Sequence, residues 1–247
     1  MPNAGLAALR ARLPPPPHGH GALAFGDARV DACLPGGAGL PLGQMHEIGA
    51  DGLEAETGTL AAAFTACWLA RLPGARPIAW IAPGLDLYPP GLRAYGLDPA
   101  RLLLVHSSGG SQTLAAMEAA LRGGALAAVV AEAGRLPRLA GRRLHLACLD
   151  SGVTGFLLRR WPHGVKPGTG AGDAAAASTR WRIAAAPSLP QGRGPGPVRW
   201  QVDLTHARGG RPGAWLMQLE PGEHDAPPAL RVVAGVADAA AAIRRSA

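Results

Sequence analysis

The segment from Gly49 to Thr59 contains the glycines and the threonine of a phosphate-binding turn, but it contains no lysine. In turns of the type G-x-x-x-x-G-K-[ST], backbone amides hold the phosphates, the lysine neutralises them and the hydroxyl binds Mg²⁺. The chain has one lysine, Lys166, which lies far beyond this turn. We therefore interpret the segment as a degenerate phosphate site. Its matching positions are Gly49, Gly52, Gly58 and Thr59.

Carboxylates make the same segment unfavourable for a nucleotide. Asp51, Glu54 and Glu56 would repel a triphosphate, because like charges in one small site repel each other. The acids that follow two later strand patterns are Asp86 and Glu132. Glu132 could hold a metal ion, but neither acid has a phosphate-holding partner, and we interpret both as helix-start or rim residues. The sequence therefore predicts no catalytic residue and no enzyme activity, with residual ATP binding as the alternative.

Histidines and cysteines form no other recognised site. None of the eight histidines belongs to a known nucleophile motif, and His46 and His106 are expected to be structural residues at strand ends. The three cysteines are far apart, which argues against a disulfide framework or a zinc site. We predict no metal and no cofactor. Without a long apolar run or a signal peptide, we expect a cytoplasmic protein with no membrane contact.

Strand and helix patterns alternate from residue 45 to residue 158. Apolar residues spaced by three and four predict a helix over 59–72, and the apolar run 78–82 predicts a strand buried on both faces. Parallel strands need crossover helices, so the alternation predicts a doubly wound α/β fold with a mostly parallel sheet. The later elements are strands over 102–105, 126–131 and 153–158 and helices over 111–121 and 136–149.

Three further strand patterns follow, joined by turns rich in glycine and proline. They cover 179–185, 198–206 and 214–219 and predict an antiparallel extension of the sheet. Tryptophans alternate with polar residues on these strands, and we expect them to pack in the core rather than to stack on bases. They are Trp181, Trp200 and Trp215.

An ordered series of motifs runs through the chain. It begins with the stretch from Phe25 to Ile48 and continues with Trp80-Ile81-Ala82-Pro83, Asp86-Leu87-Tyr88-Pro89-Pro90-Gly91-Leu92, Gly96-Leu97-Asp98-Pro99-Ala100-Arg101-Leu102, Ser151-Gly152-Val153-Thr154-Gly155 and Arg208-Gly209-Gly210-Arg211-Pro212-Gly213-Ala214-Trp215. This series resembles the ImuA family of RecA-like proteins. The resemblance covers a RecA-like core without a functional Walker A motif (22–220). Helical spacing and a proline run predict an amino-terminal helical arm with a proline-rich linker (1–21), and the residues after the core form a carboxyl-terminal tail (221–247).

The resemblance implies an SOS-induced accessory role in mutagenic translesion DNA synthesis. It implies two partners, the inactive Y-family polymerase homologue ImuB and an error-prone DnaE2-type polymerase, together with an effect on RecA. The alternative is a degenerate RecA-like ATPase or a DNA-binding protein that acts on RecA–DNA filaments.

Positive charge is concentrated in the second half of the chain. Residues 135–247 contain 15 Arg and one Lys against 7 acids, a net charge of +9, whereas residues 1–134 contain 8 Arg against 10 acids, a net charge of −2. The RecA resemblance places a DNA-contacting loop at 161–173, before the strand over 179–185. We predict single-stranded DNA there, with an acidic protein partner or solvated arginines as alternatives. The candidate residues are Arg159, Arg160, Trp161, Lys166, Arg180 and Arg182.

Overall fold

The computed structural model describes residues 21–51, 54–84, 86–160, 176–189, 194, 196–222 and 228–235. The predicted arm up to residue 20, the candidate residues Gly52, Trp161 and Lys166, and the segment 236–247 lie outside the described residues.

Helices cover both faces of a large sheet. In the described residues the α-helices are α1 (Ala28–Asp31), α2 (Glu54–Ala70), α3 (Gly110–Arg122) and α4 (Arg138–Ser151), and short 3-10 helices cover Pro35–Gly37, Pro89–Tyr95 and Pro99–Arg101.

The strands of the described residues form two sheets. They are β1 (Ala22–Leu23), β2 (Leu40–Pro41), β3 (Met45–Ala50), β4 (Ile78–Ala82), β5 (Leu102–His106), β6 (Ala128–Glu132), β7 (Thr154–Arg159), β8 (Thr179–Ala186), β9 (Arg199–Ala207), β10 (Gly213–Glu220) and β11 (Ala229–Gly235). β1 and β2 pair with each other, and the other nine form one sheet in the order β11-β10-β9-β8-β3-β7-β6-β4-β5.

The two halves of the nine-stranded sheet differ in strand direction. From β8 to β5 all neighbours are parallel, whereas β8, β9, β10 and β11 are joined by antiparallel pairs. Long crossovers through α2, α3 and α4 connect the parallel strands, as parallel neighbours require. The predicted doubly wound α/β fold with an antiparallel extension is therefore confirmed.

Local sequence explains where α4 lies and where it ends. Gly141, Leu144, Ala147 and Cys148 recur at helical spacing and form its buried face. The helix ends at Gly152, whose left-handed conformation (φ 72°) lets its N–H donate to the carbonyl of Cys148 at 2.9 Å.

The apolar core lies in two layers, one on each face of the sheet. The layer under α3 and α4 contains Met117, Leu121 and Leu157, and the opposite layer contains α2 and an aromatic cluster. Trp181 is buried there, with its ring centroid 5.5 Å from that of Phe64. Trp200 and Trp215 are buried in the same layer, so the predicted core packing of the three strand tryptophans is confirmed.

Strand β11 was not predicted. Its residues pair with β10 in antiparallel register, and Leu230 and Val232 join the tryptophan layer. The ordered sheet therefore continues beyond residue 220, because β10 offers a free edge and apolar neighbours to the returning chain. In the part of the chain that the structure describes, no helix is both long and apolar enough to cross a membrane.

Candidate functional site

The carboxyl ends of the parallel strands meet at one edge of the sheet, where open α/β sheets usually bind ligands. Four side chains converge there from three neighbouring strands, β7, β6 and β4. Trp80 lies on β4, Asp86 follows β4, Glu132 ends β6 and Arg160 follows β7.

Arg160 bridges the two carboxylates. Its Nη1 donates to Oε2 of Glu132 at 2.9 Å, and its Nη2 donates to Oδ2 of Asp86 at 2.8 Å. The other oxygen of Glu132, Oε1, accepts a hydrogen bond from Nε1 of Trp80 at 2.7 Å. Glu132 is only 4% exposed, so this charge is stabilised by the two donors and not by water. We call these four residues the Arg160 cluster.

The degenerate phosphate turn is shorter than the motif requires. Strand β3 continues to Ala50 and α2 begins at Glu54, so only residues 51–53 separate them. Gly58 and Thr59 lie inside α2, and the backbone N–H of Asp51 donates to the carbonyl of Ile183 on β8 at 2.8 Å. Gly49, Gly58 and Thr59, the matching residues that the structure describes, therefore lie in a strand and a helix and not in one loop.

Gly49 lies in an extended strand and has room for a side chain. A Cβ added there would meet its nearest atom, Cβ of Arg159, at 3.7 Å, which is an ordinary van der Waals contact. In a phosphate turn, glycine is needed because the backbone must approach the phosphates or adopt a positive φ. The φ of Gly49 is not in the left-handed region, so its place in β3 does not require glycine.

A second group of ion pairs involves β3, β7 and β8, and its Arg159 directly precedes Arg160 in the chain. Glu47, which is 8% exposed, has its Oε1 3.5 Å from Nε of Arg159 and 3.5 Å from Nε of Arg180. Asp51 Oδ1 lies 3.0 Å from Nε of Arg182 on the more exposed side of β8.

Each described arginine of the predicted DNA site therefore lies next to a carboxylate. Arg159, Arg160, Arg180 and Arg182 face the four acids Glu47, Asp51, Asp86 and Glu132. These acids offset the positive charge that would attract a phosphate backbone. The other two candidates, Trp161 and Lys166, lie outside the described residues, and the DNA site stays a prediction.

His46 is a structural residue. Its Nδ1 lies 2.8 Å from the hydroxyl of Thr179 and its Nε2 lies 2.9 Å from the carbonyl of Pro41. Desolvation lowers the pKa of the His46 imidazole to about 4, so the ring is neutral, with Nε2 donating to the carbonyl and Nδ1 accepting from the hydroxyl. Nε1 of Trp181 in turn donates to that hydroxyl at 2.9 Å.

Sequence reasoning missed two members of these clusters. It treated Glu47 as part of a plain strand, and it assigned no polar partner to Trp80. A charged residue inside the apolar pattern of β3 was the available signal for Glu47, because a buried carboxylate needs a paired cation. Among the described residues, no group of three His, Cys, Asp or Glu side chains could hold a metal ion.

Comparisons with solved structures address the fold. The RadB recombinase structure matches with a TM-score of 0.53 at 15% identity, covering 79% of this chain and 95% of that chain. A shorter match, to SulA from Pseudomonas aeruginosa, has a TM-score of 0.42 at 29% identity and covers 47% of this chain and 98% of that chain. The RadB match and the strand order confirm the predicted RecA-like fold.

Comparisons of sequence address the family. No family model matches the chain. The proteins named "Protein ImuA" from two strains of Caulobacter vibrioides are 42% identical to it over 222 residues, which cover 87% of this chain and 90% of theirs. Because relatives this similar match over most of both lengths, the chain belongs to the ImuA family.

Proposed function

We propose that this protein is a non-catalytic accessory protein of SOS-induced mutagenic translesion DNA synthesis. In this role it binds an ImuB-like inactive polymerase homologue and a DnaE2-like error-prone polymerase, and it modulates RecA. Family membership supports the DNA-damage role. The single observation that supports a non-catalytic mechanism is the Arg160 cluster at the edge of the sheet where a nucleotide would bind.

The hydrogen bonds of Glu132 support this mechanism. In P-loop ATPases the carboxylate at this kind of strand end helps to hold Mg²⁺, and a lysine holds the phosphates. Here both oxygens of Glu132 accept hydrogen bonds, from Trp80 and Arg160. If a metal ion replaced Arg160 as the partner of Glu132, the lost hydrogen bond would cost about 1.5–3 kcal/mol, the usual contribution of a charged hydrogen bond. The degenerate turn itself contains no lysine that could compensate, because the sole lysine of the chain is Lys166.

The outer edge of β5 supports a role in protein contacts. Leu103, Leu104 and Val105 are 48%, 47% and 38% exposed, and β5 is the last strand of the sheet at this end in the described residues. An apolar edge strand with free backbone groups is a typical site for strand addition by another protein. An accessory protein that joins two polymerases needs such surfaces.

The principal experiment compares Thr59→Ala with Leu104→Glu in a strain that lacks the wild-type gene. Thr59 is exposed on α2 and would bind Mg²⁺ if the degenerate turn held ATP. We expect Thr59→Ala to retain damage-induced mutagenesis. We expect Leu104→Glu to lower it by about tenfold and to weaken capture of the ImuB-like homologue.

Leu189→Glu is the matched control, because Leu189 is exposed but lies outside β5. Each variant is first checked for an unchanged melting temperature. Loss of mutagenesis in a stably folded Thr59→Ala protein, or micromolar Mg²⁺–ATP binding that this change abolishes, would show that the nucleotide site works and that the proposal is wrong.

The alternative function is a degenerate ATPase or a DNA-binding protein that acts on RecA–DNA filaments. The net charge of +9 in residues 135–247 favours it, and the carboxylates beside the candidate arginines disfavour it. Binding of single-stranded DNA that weakens steeply between about 50 and 200 mM salt would support this alternative.

A further inference from the structure

Helix α4 presents two exposed leucines on its outer face. Leu139 is 71% exposed and Leu146 is 45% exposed, and both lie seven residues apart on the same side of the helix. Seven residues correspond to about 10.5 Å, or two turns, along a helix axis. Arg142 and Arg143 are exposed between them. We call these four residues the α4 surface.

Leu139 and Leu146 lie on the outer face of α4 because its inner face is already filled. The opposite face of α4 already packs closely: a Cβ added at Gly141 would lie 2.9 Å from Cβ of Ala176 and 3.2 Å from Cδ2 of Leu136. Leu144 is buried on the same inner face. The helix therefore has no freedom to rotate Leu139 and Leu146 inward, and the two apolar side chains remain on the surface.

Arginines surround the α4 surface. Arg135 and Arg138 are exposed just before and at the start of the helix, and Arg142 continues the row. Within the described part of the chain, these three have no carboxylate at ion-pair distance. Arg138 also stands in the first turn, which carries no acid and where the helix macrodipole disfavours a cation.

The other side of the α4 surface carries two arginines and two carboxylates. Glu118 of α3 holds Nη2 of Arg143 at 2.6 Å and Nη2 of Arg122 at 3.1 Å, so one carboxylate serves two arginines. Asp150 is exposed near the end of the helix. Five arginines thus stand against two carboxylates around the two leucines.

We propose that the α4 surface binds an acidic amphipathic helix of a partner protein. Leucines of that helix would pack against Leu139 and Leu146, and its flanking carboxylates would pair with Arg142 and Arg138. Nucleic acid fits this surface less well, because its phosphates would pair with the arginines but leave the leucines against a charged backbone. This inference goes beyond the proposed function, since it specifies the chemistry of one docking segment and not the process in which it acts.

The test measures binding of the full-length protein to a fluorescent helical peptide of about 18 residues, or five turns. Leucines recur at every third or fourth position of this probe, and glutamates flank them. We expect the double change Leu139→Gln, Leu146→Gln to weaken binding at least about tenfold. We expect Arg138→Gln with Arg142→Gln to weaken it several-fold and to reduce its salt dependence.

A matched control protein carries Leu189→Gln and Arg93→Gln, which change one exposed leucine and one exposed arginine outside the α4 surface. It should bind the probe as the wild type does. A second probe, with glutamine in place of every glutamate, should bind at least several-fold more weakly than the acidic probe.

Three results would overturn the proposal. The first is no saturable binding of the acidic probe, and the second is equal loss of binding in the control protein. The third is binding of a single-stranded oligonucleotide that displaces the probe, weakens with the arginine changes and is unaffected by the leucine changes. That pattern would make the α4 surface a nucleic-acid site.

Discussion

Replacing Glu132 by Gln is expected to destabilise the fold far more than replacing Asp86 by Asn, although Arg160 holds both carboxylates. The two hydrogen bonds have nearly equal lengths, 2.9 Å to Glu132 and 2.8 Å to Asp86. The side chains differ in burial: that of Glu132 is 4% exposed and that of Asp86 is 60% exposed. The comparison therefore sets a buried carboxylate that accepts from Arg160 and Trp80 against an exposed carboxylate that accepts from Arg160.

The expected losses of unfolding free energy follow from the hydrogen-bond donors around each carboxylate. A glutamine at 132 keeps the shape of the side chain but has one oxygen in place of two. That oxygen can accept from either Trp80 or Arg160. The NH₂ group then faces the other donor and makes no hydrogen bond with it. Loss of one buried charged hydrogen bond costs about 2 kcal/mol. The exposed Asp86 pair contributes about 0.5 kcal/mol. For a chain of this size these losses correspond to Tm decreases of about 4–8 °C and about 1–2 °C.

Urea unfolding at low and moderate salt measures the loss of unfolding free energy in both variants. Added salt should reduce the effect of Asp86→Asn, because an exposed pair is screened, and should leave the effect of Glu132→Gln almost unchanged. Equal losses in the two variants, or a loss below about 0.5 kcal/mol for Glu132→Gln, would refute the view that the Arg160 cluster is a structural replacement for a nucleotide site.

Three further predictions concern the rest of the sheet. Gly49→Ala should raise the unfolding free energy by about 0.5–1 kcal/mol, whereas Gly155→Ala should lower it by about 1–3 kcal/mol, because its Cβ would lie 2.9 Å from Sγ of Cys148. His46 has a pKa of about 4 in the folded protein and a higher pKa in the unfolded chain. Its contribution to the free energy of unfolding is therefore complete above about pH 6.5 and is lost as the pH falls towards 4. Denaturant titrations should therefore show a smaller loss of stability over this range in His46→Gln. Burial raises the pKa of the Cys148 thiol to about 12, so mass spectrometry should find it alkylated at pH 8 only after unfolding.

Much of the fold could be predicted because its signals are local. The apolar run of β4 predicted its bounds at Ile78 and Ala82, and helical spacing predicted α3 and α4 to within a few residues. Strand β11 escaped prediction because prolines and an alanine-rich segment surround a short apolar run. Its identity as a strand depends on pairing with β10, which no local pattern contains.

The candidate site was less predictable for the same reason. The missing lysine was visible at once, but the sequence assigned Arg159, Arg160, Arg180 and Arg182 to a DNA site without showing what faces them. The acids that neutralise them come from β3 and from the ends of β4 and β6. Nothing in the spacing of these residues indicates the pairing.

By itself, the sequence determined the α/β alternation, the absence of a phosphate-binding lysine and the resemblance to the ImuA family. Those features depend on residue type, local period and motif order. Only the tertiary structure decided that Arg160 meets Glu132, 28 residues away, and Asp86, 74 residues away. Crossover connections bring these strand ends to one edge of the sheet, and the burial of Glu132 there makes its pairing necessary, because a charge removed from water needs a partner.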